Sequence, residues 1–193
     1  MKRPVALLLS MILALGLTAC GGGQKNETTK DDTEGKTAVD ILNDVWASYE
    51  EDEKFAIAGG DYETMVQDAP GTVNVSDGEV LNSLLGFPAE SAGMIDDGAS
   101  MMHMMNQNTF TAGVYHVTSA DDVQAVADAV KENILNRQWM CGFPDDLVVY
   151  SVGTSYVAVV FGAEDVVDNF AEELQEVYTS AKVLYEEDLN FLS

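Results

Sequence analysis

The segment Tyr156-Val157-Ala158-Val159-Val160-Phe161 constrains the fold more than any other part of this chain, because it is apolar at every position. Side chains alternate along a strand, so Val157, Val159 and Phe161 point one way and Tyr156, Ala158 and Val160 the other. A strand with one wet face alternates apolar and polar residues, whereas a strand apolar on both faces needs cover on both. The segment therefore belongs at the centre of a sheet with helices on each side.

The flanking sequence supplies the other layers. Ala99 to Met105 and Thr109 to Val117 read as two strands joined through Asn106-Gln107-Asn108. Ser119 caps a helix with Val123, Val126, Val130 and Ile134 on one face and Asp128, Lys131 and Glu132 on the other. Leu147 to Val152 pairs with Ser155 to Phe161 across a turn at Gly153-Thr154 that suits a type II′ hairpin. Glu164 and Asp165 favour the start of a last helix, whose stripe is Val166 or Val167, Phe170, Leu174, Val177 and Ala181. Upstream, Thr37-Ala38-Val39-Asp40 resembles a capping box and opens a helix striped by Val39, Leu42, Val45, Trp46 and Tyr49, closed by the acidic run Glu50 to Glu53. Phe55 to Ala58 reads as a short strand. Ser76-Asp77-Gly78-Glu79 is a second box, before a short helix that Gly86 and Pro88 end. Residues 61–75 follow no period, and Asp68-Ala69-Pro70-Gly71 reads as a turn. The expected fold is α+β, with a four-stranded, mainly antiparallel sheet from two hairpins (β-β-α-β-β-α) and extra N-terminal helices. The two later helices are expected on one face of the sheet and helix 38–49 on the other.

The first 19 residues have the form of a secretory signal peptide. Lys2 and Arg3 precede an apolar run, Val5 to Leu17, that is too short to span a membrane, and small residues follow. Leu17-Thr18-Ala19-Cys20 resembles a bacterial lipobox, which implies cleavage before Cys20 and its lipidation with palmitate-like acyl chains. Residues 20–36 include three consecutive glycines and no large apolar side chain, a composition that cannot offset its ordering entropy. They are expected to form a flexible lipidated tether, followed by one globular domain over 37–185 and a C-terminal tail over 186–193. The expected location is extracytoplasmic, anchored to the cell membrane by the N-terminal lipid.

Residues 20–193 carry seven of the nine basic groups against all 33 acidic ones, which leaves a net charge of −26. Such a charge excludes nucleic acid as a partner, because phosphates would be repelled. It also opposes contact with anionic lipid, so membrane attachment falls to the acyl chains. With Cys20 acylated, Cys141 is left alone and no internal disulfide can form.

Gly86-Phe87-Pro88, Met104-Met105-Asn106 ahead of the first hairpin turn, and Ser155-Tyr156-Val157-Ala158-Val159-Val160 ahead of the last helix carry a resemblance. With the lipobox and the acidic tether, the chain resembles an uncharacterised family of bacterial lipoproteins, a domain of unknown function with a ββαββα core. The resemblance runs over residues 37–182. It implies the fold already described and brings no activity, cofactor or catalytic residue.

Met101-Met102-His103-Met104-Met105 is the densest unusual run. Thioethers and imidazole suit Cu(I), and on a continuous strand Met101, His103 and Met105 would share a side. The competing reading is that methionines fill gaps in the core. Trp139-Met140-Cys141-Gly142-Phe143-Pro144 lacks the second cysteine of a redox dithiol. The acidic doublets Asp96-Asp97, Asp121-Asp122, Asp145-Asp146 and Glu186-Glu187 lie in no EF-hand pattern. No Ser-His-Asp arrangement, phosphate loop or zinc spacing is evident. The reading is a non-enzymatic, membrane-anchored module that binds an envelope protein or cell-wall component, with no catalytic residue and no cofactor. The alternatives are a copper binder using Met101, His103 and Met105, and an enzyme whose site has no sequence signature.

Overall fold

The computed structural model describes residues 31–140 and 143–189. Helix α1 (Ala38–Ser48) starts at the expected capping box: Asp40 N–H donates to the Thr37 hydroxyl at 3.3 Å, and Thr37 N–H donates to the Asp40 carboxylate at 2.9 Å. Three short strands follow, β1 (Ile57–Gly59), β2 (Val66–Gln67) and β3 (Gly71–Thr72), and then helix α2 (Gly78–Leu85). The α2 cap is Asp77, one residue later than the second box suggests, and Gly86 closes the helix in the left-handed conformation at φ 68°.

A 3-10 helix (Ala89–Met94) leads into β4 (Ile95–His103) and β5 (Phe110–Val117). After a 3-10 turn at Ala120–Asp122 come α3 (Val123–Leu135), β6 (Asp146–Val152), β7 (Tyr156–Gly162), α4 (Glu164–Val177) and β8 (Lys182–Asp188). The β6–β7 loop is three residues long, since Val152 pairs with Tyr156, so it is not the two-residue hairpin expected at Gly153-Thr154.

The class is α+β with an antiparallel sheet, as expected, but the sheet has eight strands and not four. Its order is β2-β1-β4-β5-β7-β6-β8, with β3 also on β4, and every pair is antiparallel. β1 and β3 run end to end along the same edge of β4. At the handover Gly59 and Gly71 lie so close that a Cβ on Gly59 would stand 2.1 Å from the Gly71 nitrogen.

β7 is central and fully buried, and its two side-chain sets enter two separate cores. Tyr156, Ala158 and Val160 pack with Ile41, Leu42 and Val45 of α1 and with Val167, Phe170 and Leu174 of α4. Val157, Val159 and Phe161 pack with Leu81 and Leu85 of α2 and with Val126, Val130 and Ile134 of α3. Helices α3 and α4 therefore lie on opposite faces, against the expectation of a shared one. The strand order gives the reason. β5-α3-β6 and β7-α4-β8 each join parallel strands by skipping one neighbour, and both step the same way across the sheet. Their starting strands run in opposite directions, so two crossovers of the same hand must fall on opposite faces. Without β8 the second crossover cannot be recognised.

The packed structure reaches beyond 37–185 at both ends. Asp31 accepts hydrogen bonds from Thr33 N–H (3.0 Å) and the Thr154 hydroxyl (2.7 Å), Thr33 is buried, and the Tyr156 hydroxyl donates to the Lys36 carbonyl at 2.5 Å. Residues 31–36 are thus docked on the β6–β7 turn and are not tether. At the other end, residues 186–188 belong to β8, and Leu189 is buried with its N–H on the Asp145 carbonyl at 2.7 Å. The signal, Cys20, Cys141 and residues 190–193 lie outside the described residues. No described helix is long and apolar enough to cross a membrane.

Candidate functional site

The sheet has two dissimilar poles. At one pole stand the β6–β7 turn, the starts of β4 and α1, and the residues through which the chain enters at Asp31. β4 is bulged there between Ile95 and Asp97, which splits the aims of an acidic doublet. Asp97 takes the Ala38 N–H at 2.7 Å at the start of α1, and Asp96 meets Nδ1 of His116 at 2.5 Å. The His116 ring packs on Tyr156 at 4.9 Å. An imidazole held at Nδ1 by a carboxylate can exchange a proton at Nε2. His116 and Ser155 line a shallow hollow here, but no hydrogen bond joins them, so among the described residues no serine is aligned with the imidazole as a nucleophile. The pair ties the bulge to β5.

The opposite pole gathers the end of β4, the starts of β5 and β6, the end of β7 and the start of α4. β4 stops at His103 because its own imidazole turns the chain: Nδ1 accepts the N–H groups of Met105 (3.2 Å) and Asn106 (3.3 Å). Thr109 N–H then closes onto the Asn106 carbonyl at 3.0 Å. Met104 and Met105 are thereby thrown outward.

A second contribution is the loop between α3 and β6. Arg137 donates to the Ser83 carbonyl at 2.6 Å and stacks on Trp139, whose ring meets Phe161 edge-on at 5.3 Å. Asn108 Nδ2 donates to the Met140 carbonyl at 3.2 Å, which joins this loop to the β4–β5 turn. The third contribution is the segment after β1, shaped by Asp61. Its carboxylate accepts from Glu63 N–H (3.0 Å), Thr64 N–H (3.0 Å), the Thr64 hydroxyl (2.9 Å) and Asn74 N–H (2.8 Å). Burial raises the Asp61 pKa, but these four donors outweigh it and hold it below the usual carboxylate value.

These three segments carry Tyr62 and Met65 (each 64% exposed), Met104 (41%), Met105 (82%), Met140 (81%) and Phe143 (46%), most of the large exposed apolar side chains among the described residues. Tyr62, Met65 and Met104, together with Leu84, Met102 and Gln107, wall a hollow of about 160 Å³. Large exposed apolar groups gathered at one place mark interaction surfaces in soluble domains. At the same pole, but at the β6–β8 side of the sheet and away from the hollow, lie the carboxylates of Asp145, Asp146, Glu164, Asp168 and Asp188, and the Asp146 pKa is raised by its own burial and then by the other four.

The Met/His run does not converge as a metal site. Met101 is sealed in the α1–α4 core, while Met102 belongs to the opposite face. His103 stacks on Phe55 at 5.6 Å, and Met105 stands in solvent beyond the strand. Among the described residues no group of three or more His, Cys, Asp or Glu is placed to hold a metal ion. Sequence reasoning missed Tyr62, Met65 and Phe143 as surface residues, and missed that Met104 faces Met65 across a hollow. Their only signal is the presence of large apolar residues in stretches that follow no period. No protein-family model matches the chain, and neither the curated proteins nor the solved structures include one similar to it.

Proposed function

We propose that this chain is an extracytoplasmic lipoprotein, held to a membrane by an acylated Cys20, and that it serves the cell envelope as a non-enzymatic binding module. One observation carries the binding half: the chain enters the domain at Asp31 on one pole, and the exposed methionine and aromatic patch occupies the other. A domain held by its Asp31 pole turns the patch away from the membrane by the length of the sheet, about 20 Å for a seven-residue strand such as β7. Those side chains fill no core of their own, so a partner's apolar surface is what would remove them from water.

The lipobox and signal supply the anchored half, and the strongly acidic composition leaves the acyl chains as the means of attachment. Membership of the uncharacterised lipoprotein family belongs to the same proposal and rests on the motifs quoted above. The copper reading has no converged ligand set behind it, and the Asp96–His116 pair has no serine aligned with it among the described residues.

The test combines clickable-palmitate labelling with a photo-crosslinking residue placed in intact cells at position 105 or, on the other pole, at position 154. The wild-type chain should take the label and Cys20→Ala should not. Discrete protein adducts should form from position 105 and not from position 154. Adducts of equal yield from both poles, or none from position 105, would refute the polar layout. Label persisting in Cys20→Ala would refute the anchor.

A further inference from the structure

Methionine is distributed unevenly over this fold. The chain has nine, of which Met1 and Met11 precede Cys20, so residues 20–193 hold seven. Three of these are packed: Met101 and Met102 are buried in opposite cores, and Met94 is partly buried against the second. Met65, Met104, Met105 and Met140 are exposed, and all four stand on the three segments that build the patch. The backbone of each segment is held by polar groups. The Asp61 carboxylate holds the loop that carries Met65, Nδ1 of His103 holds the turn with Met104 and Met105, and the Asn108 side chain holds the Met140 carbonyl. These four thioethers can therefore change chemically without disturbing either core.

We propose that Met65, Met104, Met105 and Met140 form an oxidation site for hydrogen peroxide, and that their conversion to sulfoxides releases whatever the patch holds. The release rests on the binding-module reading above, whereas the oxidation site does not. In the reaction a thioether sulfur gives an electron pair to one peroxide oxygen. The S–O bond forms as the O–O bond breaks, and the proton on the transferred oxygen passes to the departing hydroxide. One sulfoxide and one water result, with sulfur oxidised by two electrons and the peroxide reduced. The charge of −26 on residues 20–193 repels anionic oxidants and leaves a neutral peroxide unhindered. A sulfoxide is polar where the thioether was apolar, so oxidation removes the property by which the patch would hold an apolar surface. At Met65 and Met104 the new polar groups stand on the wall of the hollow. At Met101 the same change would break open a core, and that methionine is sealed.

The site is tested on the chain from residue 20 onward, the form left by the proposed processing, with Cys20→Ser. It is treated with hydrogen peroxide and mapped by tandem mass spectrometry, which separates Met140 from Cys141. Met105 and Met140 should oxidise about tenfold faster than Met101 and Met102, with Met65 and Met104 between them. The thermal midpoint should stay within about 2 °C of the untreated chain. Sulfoxide spread evenly over the seven methionines, or a fold lost with the first sulfoxides, would overturn the site. The release is tested in intact cells with the photo-crosslinking residue at position 105. Peroxide should lower its adduct yield about fivefold, in step with sulfoxide at Met65, Met104 and Met140 in the same samples. The fractional loss should be smaller in Met65→Leu/Met104→Leu/Met140→Leu, which cannot be oxidised there. Sulfoxide at these positions with an unchanged yield, or a loss of yield without it, would overturn the release and leave the binding-module reading standing. If position 105 forms no adducts even in untreated cells, the binding-module reading fails and the release with it, while the sulfoxide map still decides the site.

Discussion

Replacing Asp32 by Ala should destabilise the domain by about 1.5–3 kcal/mol, although composition alone would place this residue in a tether. Asp32 accepts the Ser180 N–H at 3.1 Å and the Thr179 hydroxyl at 3.2 Å, and it also takes the Ser180 hydroxyl. That hydroxyl in turn accepts the Gly153 N–H at 2.8 Å, so one carboxylate orders the chain after α4 and the β6–β7 turn together. Ser180 is buried, and removing the acceptor leaves its N–H without a replacement. A hydrogen bond to a charged group contributes about 1.5–3 kcal/mol net. The bond to the more exposed Thr179 adds little, and the bonds are not additive, so the estimate stays within the range for one bond. For a domain of this size each kcal/mol lowers Tm by about 2–4 °C, which gives a drop of about 3–12 °C. The exposed Glu34→Ala should stay within about 0.5 kcal/mol and serves as the neighbouring control. Thermal unfolding followed by circular dichroism decides the matter. If Asp32→Ala melts with Glu34→Ala and the wild type, residues 31–36 do not hold the domain, and the argument for which pole faces the anchor falls with them.

Tyr115→Phe should raise stability by about 1 kcal/mol in urea unfolding, because the Tyr115 hydroxyl is buried without a partner, in space left by the missing side chain of Gly113. Tyr156→Phe should lower stability by a similar amount through loss of the 2.5 Å bond to the Lys36 carbonyl, so a shared sign for the two variants would refute the assignment. Gly59→Ala should cost about 3 kcal/mol or abolish folding, since its Cβ would meet Gly71 backbone that cannot move aside, and an unchanged denaturation midpoint would contradict the close approach. Asp61 has a depressed folded pKa, so its contribution is fully present above the ordinary 3.8 and is lost as pH falls through the lower folded value. Stability profiles between about pH 5 and pH 2 should therefore be flatter for Asp61→Asn than for the wild type, and parallel profiles would show that the four donors are not bound to a carboxylate.

The parts of the fold that were legible in the sequence are those made by periodic burial. β7 announced its central place through six consecutive apolar residues, and α1 and α2 announced their starts through short polar side chains three residues ahead of an N–H. β8 was hidden for a physical reason. An edge strand pairs on one side only, and Lys182, Glu186, Glu187 and Asp188 carry the charges that keep such an edge from recruiting another chain. Read by hydropathy, the same residues look like a solvated tail. With β8 unseen, the last helix had no second strand to cross to, and its face was assigned wrongly. Asp31 and Asp32 were hidden in another way, since they hold the domain through hydrogen bonds to a turn and hydropathy has no term for that.

The patch shows where strand alternation stops being a guide. The alternation that would place Met101, His103 and Met105 on one side is a property of a paired strand, and the last paired residues are His103 with Ile57, followed by one more bond from Met104 N–H to the Ala56 carbonyl at 2.9 Å. Two and three residues later the N–H groups of Met105 and Asn106 turn back to the His103 imidazole, and the chain leaves the pleat. Met101 therefore stays in a core while Met105 reaches solvent, and the neighbour of Met104 across the hollow is Met65, from a segment without periodicity. Core faces are built by repetition, so a repeat in the sequence reveals them. A binding surface assembled from a turn and two loops has no repeat to reveal. Its trace is a mismatch: Tyr62, Met65, Met140 and Phe143 stand among Gly, Asp, Glu and Asn, where solubility alone would have favoured polar residues. Large apolar side chains left mostly in water at one pole of a strongly acidic domain belong to neither core, and contact with another molecule would take them out of water.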